Sequence, residues 1–378
     1  MSEFARRSWV EVSLGRIAAN FEAIRDLTGA GVEVMPVVKA DAYRHGAIEV
    51  SRTLVGKGAR WLAVSSVEEG AALRDAGIAA RILVMADFLP AEREGLFEYG
   101  LTPVIHSLDG VREWDRMAAA RGVTGADYHL KIDSGMGRLG TRAGAAEIAG
   151  TVAGCRYARL EGLMTHLASA ADYAGTQTED QSGAFEELRR GLAELGVAPP
   201  IVHMASSIPV AYGRRGAWRQ MVRPGHAIYG YVSPVRRGEA PPRLLDVKPA
   251  LSWKASLLAV KDLPAGVRVG YGGMFRTPGP MRIGVLAAGY ADGIPHRLSN
   301  KGRVIAAGKF AAILGAVSMD LTTIDLTQAP HLRPGEAVTL LGEEGGASID
   351  AQQMAKLAGT ISYSVLCGIS ARVKRVYV

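Results

Sequence analysis

From about residue 33 to residue 230, short apolar runs alternate with longer stretches of helical character. The runs Glu33–Val38, Trp61–Val64, Arg81–Met85, Thr102–Ile105, Tyr128–Ile132, Leu160–Thr165, Ile201–Met204 and Met221–Arg223 have the length and composition of buried strands. Stretches such as Val67–Ala76, Val111–Arg121 and Asp180–Leu195 lie between them. Parallel strands need crossovers of this kind. The repeated strand–helix rhythm predicts a (β/α)8 TIM-type barrel. A doubly wound open sheet accepts the same rhythm and stays as the alternative.

The pattern then changes. Pro234, Gly238, Pro241 and Pro242 form a breaker-rich linker. Beyond it, Leu251–Val260, Met281–Ala287, Arg303–Ala307, Ala311–Ile313, Ala337–Leu341 and Arg372–Val378 read as short strands separated by glycine and proline. They predict a mostly β second domain with one helix near Ala351–Ala358. Trp9–Val12 has strand character and could join it. The expected division is therefore a barrel over 12–240 and a β domain made of 1–11 and 241–378.

Composition narrows the function classes. A chain of 378 residues, 48% hydrophobic and 21% charged, is an ordinary core-forming composition with room for two domains. The N-terminus lacks the apolar core of a signal peptide, and no apolar stretch is long enough to span a bilayer, so a cytoplasmic protein without a membrane partner is expected. The net charge of +7 raises the question of nucleic acid. The basic residues are scattered, however, and the densest run, Arg214 to Arg223, is interrupted by Gly216, Ala217, Trp218 and Met221. No aromatic platform accompanies them. An anionic small ligand within a basic protein explains the charge better. Cys155 and Cys367 show no metal or redox spacing and read as buried thiols of a reducing compartment.

Candidate chemistry gathers at one place in the pattern. Lys39 ends the first apolar run, in Pro36-Val-Val-Lys-Ala-Asp-Ala-Tyr43. A lysine at the end of a buried strand is poorly solvated, which disfavours the ammonium form and frees the amine as nucleophile or base. That is what a Schiff-base lysine needs. Lys131 and Asp133 end the fifth run, Thr165-His166 the sixth, His203 with Ser206-Ser207 the seventh, and Arg223-Pro-Gly225-His226 the eighth. Barrel enzymes place their reactive groups at the C-terminal strand ends. Core packing alone does not ask for lysine, arginine and histidine there.

Gly135-x-Gly137-x-x-Gly140 matches a dinucleotide fingerprint literally, with Glu161 near the expected acidic spacing. It falls at the fifth unit and carries Arg138 inside the loop, so NAD binding is set aside. His129, His166, His203 and His226 offer no metal-ligand spacing, so no metal is expected, and no Gly-x-Ser-x-Gly elbow is present.

With these segments assembled, the chain resembles the alanine racemase family, pyridoxal-phosphate enzymes built from a barrel and a β domain. Val37-Val-Lys-Ala-Asp-Ala-Tyr43 looks like the cofactor-lysine motif, and Lys131-Ile-Asp-Ser-Gly-Met-Gly-Arg-Leu-Gly140 looks like the family's second hallmark. Thr165-His166, Val222-Arg-Pro-Gly225, Gly270-Tyr-Gly272, Gly289-Tyr-Ala-Asp-Gly293, Ser318-Met-Asp320 and Gly359-Thr-Ile-Ser-Tyr363 follow in the family's order. The resemblance covers nearly the whole chain.

It implies a racemase, most simply for alanine, that supplies D-alanine for cell walls. Lys39 would carry pyridoxal 5'-phosphate and serve as base on the D face, with Tyr271 as base on the L face. Arg223 would face the pyridine nitrogen. Ser207, the Gly225 and His226 backbone N–H groups, and the Tyr43 and Tyr363 phenols would hold the phosphate. Arg138 and the Met319 N–H would meet the substrate carboxylate, with His166 and the two arginines assisting Tyr271. Tyr290 and Asp320 would line the substrate's path. Lys131 corresponds to a lysine often carbamylated in the family. Tyr271, Tyr290, Met319 and Asp320 would reach into a partner protomer's barrel, which implies a head-to-tail homodimer.

The departures cluster away from the two bases. Arg44 stands where the family usually has glycine, Ser206 where it has asparagine, and His226 where it has an aliphatic residue. Ile294 and His296 replace a tyrosine and an arginine, Ala316-Val317 replaces glycine-arginine, and Ser364 replaces an acidic residue. A methylene more or less in a pocket is worth only about 1–3 kcal/mol, so serine or lysine stays open as the substrate. A fold-related decarboxylase and a non-catalytic cofactor carrier are the other readings. Tyr271 and Arg223 argue against the first, and the second domain argues against the second.

Overall fold

In the computed structural model, which describes residues 6–86, 89–239 and 241–378, the chain divides into two units. One comprises Ile17–Ala42 and Ala47–Lys248; the other comprises Pro249–Val378 with Tyr43–Gly46 and the N-terminal residues up to Arg16.

The first unit is the parallel barrel. Its strands are β1 (Glu33–Val34), β2 (Trp61–Val64), β3 (Arg81–Val84), β4 (Thr102–Ile105), β5 (Ala126–Lys131), β6 (Ala158–Met164), β7 (Ile201–His203) and β8 (Met221–Val222). β2 to β7 pair in chain order as one parallel sheet, and β1 pairs with β8 in parallel. Val37 bridges to Ala63 and so ties the first segment to β2. The Gln220 N–H donates to the Val202 carbonyl and closes the ring between β7 and β8. β1 is shorter than the expected Glu33–Val38 because Pro36 has no N–H for a continuous ladder. Beyond it the backbone still pairs on both sides, Met35 to Val222 and Val38 to Ala63.

The crossovers form helices for ordinary reasons. Ser66 caps Val67–Asp75 and Ser107 caps Leu108–Ala120, each accepting an N–H of the first turn. Leu108–Ala120 buries Val111, Trp114 and Ala118, the spacing of one helical face. The Trp114 indole N–H is satisfied by the Ala126 carbonyl at 3.1 Å.

In the second unit the strand Leu251–Leu263 is central. It pairs antiparallel with Ser8–Val12, Met281–Leu286 and Ala337–Glu344. Leu251, Trp253, Ala255 and Leu257 alternate inward, the period of a half-buried strand. The N-terminal strand does join this sheet, and it also pairs in parallel with Lys374–Tyr377. Asp350 caps the helix Ala351–Ala358, and Gly359, at φ 64°, ends it. A second helix, Ser362–Gly368, follows, where the sequence predicts only the one. Cys155 and Cys367 are half-buried rather than buried. No helix among the described residues is long and apolar enough to cross a membrane.

Candidate active site

Lys39 follows the buried pair Val37-Val38 and is half-buried. The five residues after it, Ala40 to Arg44, all have positive φ between 52° and 67° without a glycine among them. A left-handed turn costs roughly 1–2 kcal/mol per L-residue, so something must hold it. Within the barrel unit, the Glu69 carboxylate accepts the Ala40 N–H at 2.6 Å and the Ser65 N–H at 2.7 Å, and Asp41 accepts the Ala47 N–H at 2.8 Å. Glu69 was not among the residues picked from sequence; it reads there as an ordinary first-turn helix acid.

The other strand ends converge on the same rim. Lys131 is buried, and its ammonium is pulled down to about 8 by desolvation and then by Arg138 and Arg223, with Asp133 opposing and Lys39 adding to the repulsion. His166 is lowered to about 3 by burial, then by Arg223, Lys131, Arg138 and Lys39, so it is neutral at pH 7. These mutual effects place Lys39, Lys131, Arg138, His166 and Arg223 within electrostatic reach of one another. The side chain of Arg138 is exposed.

Arg223 is the most constrained of the set. Its guanidinium donates to the Thr165 carbonyl at 2.8 Å, to the Met204 carbonyl at 3.2 Å and to His203 Nδ1 at 2.9 Å, and lies 3.3 Å from His166 Nδ1. Burial lowers it to about 9, which leaves it charged at neutral pH.

Next to it, Ser207 Oγ accepts the N–H groups of Gly225 and Ala227, both at 3.1 Å. With both lone pairs engaged, the hydroxyl can act toward a further group only as a donor. His226 is buried and its ring stacks on Tyr231 at 5.1 Å.

The glycines at 135 and 137 serve a carboxylate of the protein itself, and Gly140 packs against the backbone of Ile132 and Asp133. Asp133 Oδ1 accepts the N–H groups of Gly135, Met136 and Gly137 at 3.2, 2.9 and 2.9 Å, and Oδ2 accepts from Arg142. Burial raises the Asp133 carboxyl, but the Gly137 N–H and Arg142 outweigh it and hold it at about 2. No helix starts at the third glycine; the next begins at Ala145. The dinucleotide reading thus fails on geometry.

The β unit presents its own residues. Tyr43 and Tyr363 lie 5.9 Å apart, ring to ring, and burial, then Tyr363 and Cys367, raise the Tyr43 phenol above its usual range. Gly289 packs directly on the Ser318–Met319 backbone, where a Cβ would come within 2.2 Å of the Ser318 carbonyl. Hydrogen bonds from the Tyr290 and Ala291 N–H groups lock that approach and bring Tyr290 beside Met319. Arg372, missed in the sequence, grips Asp292 with two bonds of 2.8 Å and Asp320 with one of 2.8 Å. Tyr271 sits on a loop opened by Gly270 at φ 70°. Tyr271, Met319 and Tyr290 are all exposed.

A parallel barrel with a lysine at the end of its first strand, a buried arginine after its last and a hydroxyl–backbone cradle beside that arginine defines the barrel class of pyridoxal-phosphate enzyme. Two family models fit the chain end to end: alanine racemase, N-terminal domain, over residues 12–234, and alanine racemase, C-terminal domain, over 250–377. The chain belongs to the alanine racemase family. Among similar proteins, the alanine racemase of Halothermothrix orenii is 38% identical over 98% of this chain and 97% of that protein. The alanine racemase of Carboxydothermus hydrogenoformans is 38% identical over 99% and 100%. The crystal structure of alanine racemase from Streptomyces lavendulae superimposes with a TM-score of 0.90 at 32% identity, covering 100% of this chain and 98% of that one. That of Bartonella henselae, with covalently bound pyridoxal phosphate, gives 0.85 at 27% identity and 98% and 99% coverage.

Proposed function

We propose that this chain racemises alanine with pyridoxal 5'-phosphate by a two-base mechanism, in the cytoplasm, and supplies D-alanine for peptidoglycan. The observation that carries the reading is Arg223: a buried, charged donor fixed by two carbonyls and an imidazole at the end of the eighth strand. An enzyme that needed a strong electron sink would place a carboxylate there.

The residues present suit the cofactor. The rim gathers Lys39, Lys131, Arg138 and Arg223, with Asp133 opposing their repulsion of the Lys131 charge, and Ser207 is left as a donor. A dianionic phosphate and a substrate carboxylate both fit such a field. Ser207, the Gly225–His226 segment, Tyr43 and Tyr363 would hold the phosphate, and Lys39 would hold the cofactor's aldehyde carbon. Bound pyridoxal phosphate supplies an electron-withdrawing ring that acidifies the substrate's Cα–H. Arg223 would donate to the pyridine nitrogen and keep it unprotonated, which limits side reactions.

Lys39 would take or return the proton on the D face, and Tyr271 of the partner protomer on the L face. A phenol of reference pKa about 10 needs help near pH 7. Arg138 and Arg223 give it by charge and neutral His166 by hydrogen bonding. Arg138 and the Met319 N–H would hold the substrate carboxylate; among the described residues that N–H makes no other hydrogen bond. Tyr290 and Asp320 would line the approach. A carbamate on Lys131 would replace a cation beside Arg138 with an anion and orient that guanidinium. These roles make the active species a head-to-tail homodimer whose β domains complete each other's sites.

Chiral chromatography of the cofactor-loaded protein incubated with L-alanine tests the reading, with L-serine and L-lysine in parallel. D-alanine forming faster than the other two products is the expected outcome. Faster turnover of serine or lysine would move the substrate assignment to the substitutions at Ile294 and His296, where the His296 ring meets Tyr290 edge-on at 6.3 Å. Absence of any D product would overturn the two-base assignment.

A further inference from the structure

A line of polar side chains leaves Arg223 and runs through the barrel interior. Arg223 Nη1 donates to His203 Nδ1 at 2.9 Å, His203 Nε2 meets His129 Nδ1 at 2.8 Å, and His129 Nε2 meets Glu161 Oε2 at 3.3 Å. Arg81, opening β3, takes both Glu161 oxygens, the second at 2.8 Å, and also reaches Asp127 at 3.2 Å. Trp61 flanks His129 and lies under the Arg81 guanidinium at 4.0 Å. The two imidazoles are fully buried.

Two features of the backbone exist to seat this line. β5 and β6 pair Tyr128 with Leu160 and His129 with Gly162, so Glu161 is an extra residue in β6 and its side chain is re-aimed inward. Gly162 leaves the space for the ring: a Cβ there would stand 2.5 Å from His129 Cγ and Nδ1. A buried carboxylate and two buried imidazoles are costly in an apolar barrel unless every partner is present.

The donor roles run one way. Arginine can only donate, so His203 Nδ1 must accept and its proton must sit on Nε2. That proton makes His129 Nδ1 an acceptor, so the His129 proton also sits on Nε2 and points at Glu161. We propose that His129 and Glu161 are positioning residues for Arg223, fixing through the His203 tautomer the acceptor that aims its guanidinium. This rests on the assignment of Arg223 to the cofactor ring, but the tautomers can be read independently of it.

Neutron diffraction of the cofactor-loaded protein, exchanged into deuterated solvent, is the first test. Deuterium on Nε2 of both His203 and His129, with none on Nδ1 of either, is expected; a deuteron on either Nδ1 overturns the proposal. The second test is kinetic. Glu161→Leu cuts the line, and kcat is expected to fall about ten-fold with KM little changed. Glu161→Gln keeps an acceptor for His129 and should exceed the leucine variant by at least about five-fold in kcat. Equal losses in the two, or none in either, would mean a purely structural role and overturn the proposal. If the leucine variant does not fold, Gly162→Ala displaces the same ring without removing a polar atom and carries the same expectation. Should the tautomers be as stated while Arg223→Leu leaves kcat unchanged, the assignment of Arg223 fails and the hydrogen-bonded line stands.

Discussion

Arg223 and Tyr271 make opposite uses of solvent. Arg223 is 3% exposed, with its hydrogen bonds supplied by groups of its own barrel. Tyr271 is 76% exposed on a loop opened by Gly270. Arg223 is satisfied within its own unit, whereas Tyr271 is open to solvent. On the roles proposed above, the arginine that sets the electronics is buried within one barrel together with the D-face base, while the L-face base is left open to be engaged on association.

The sharpest way to break the contrast is at the lysine proposed to carry the cofactor. Lys39→Ala should reduce racemisation at least about 10³-fold and abolish the protein's yellow colour. A yellow band that persists in a chain without Lys39, and that borohydride bleaches while fixing the cofactor covalently, would put the cofactor on another lysine. Next comes Tyr271→Phe, expected to lower activity by about 10²–10⁴-fold and to suppress solvent-proton exchange from L-alanine more than from D-alanine. Equal suppression from both isomers would count against one base per face. Arg223→Glu should raise the transamination by-product relative to racemisation, read by pyruvate formation; an unchanged ratio would remove the electronic argument for arginine.

The smallest effect concerns stability. His129 and His203 are both held below the usual histidine value, chiefly by burial. The unfolded chain therefore binds protons near pH 6.5 that the folded barrel refuses. Their contribution is complete above that value and is lost as pH falls, each imidazole steepening the slope by up to about 1.4 kcal/mol per pH unit. Glu161 acts lower: burial raises its carboxyl, but His129 and Arg81 outweigh this and bring it to about 2, so its share is lost between roughly pH 4.5 and 2. Urea melts from pH 7 to 5 should show the slope, and His129→Gln should flatten it; identical slopes would contradict the assignment.

Much of this was legible beforehand where local pattern and tertiary fold agree. Trp61–Val64 and Thr102–Ile105 run as the alternation predicts, and so does the helix Ala351–Ala358, whose Asp350 cap and Gly359 stop are written in the chain. The rim residues were legible because charges at strand ends are hard to explain by packing. The line behind Arg223 was not. His129 was weighed only as a metal ligand and Glu161 only as a ribose acid, since an inserted strand residue leaves no trace in a hydrophobic pattern. Glu69 and Arg372 escaped for a related reason: their partners lie 29 and 80 residues away.

The left-handed turn from Ala40 to Arg44 has a consequence for anyone wishing to make this protein hardier. Glycine at Ala40 or Ala42 would relieve backbone conformations that L-residues adopt reluctantly. A more heat-tolerant chain obtained that way would also let the lysine beside it wander. Thermal robustness and turnover are set against each other over these five residues, and a selection for survival at high temperature alone would drift toward glycine here and lose the enzyme.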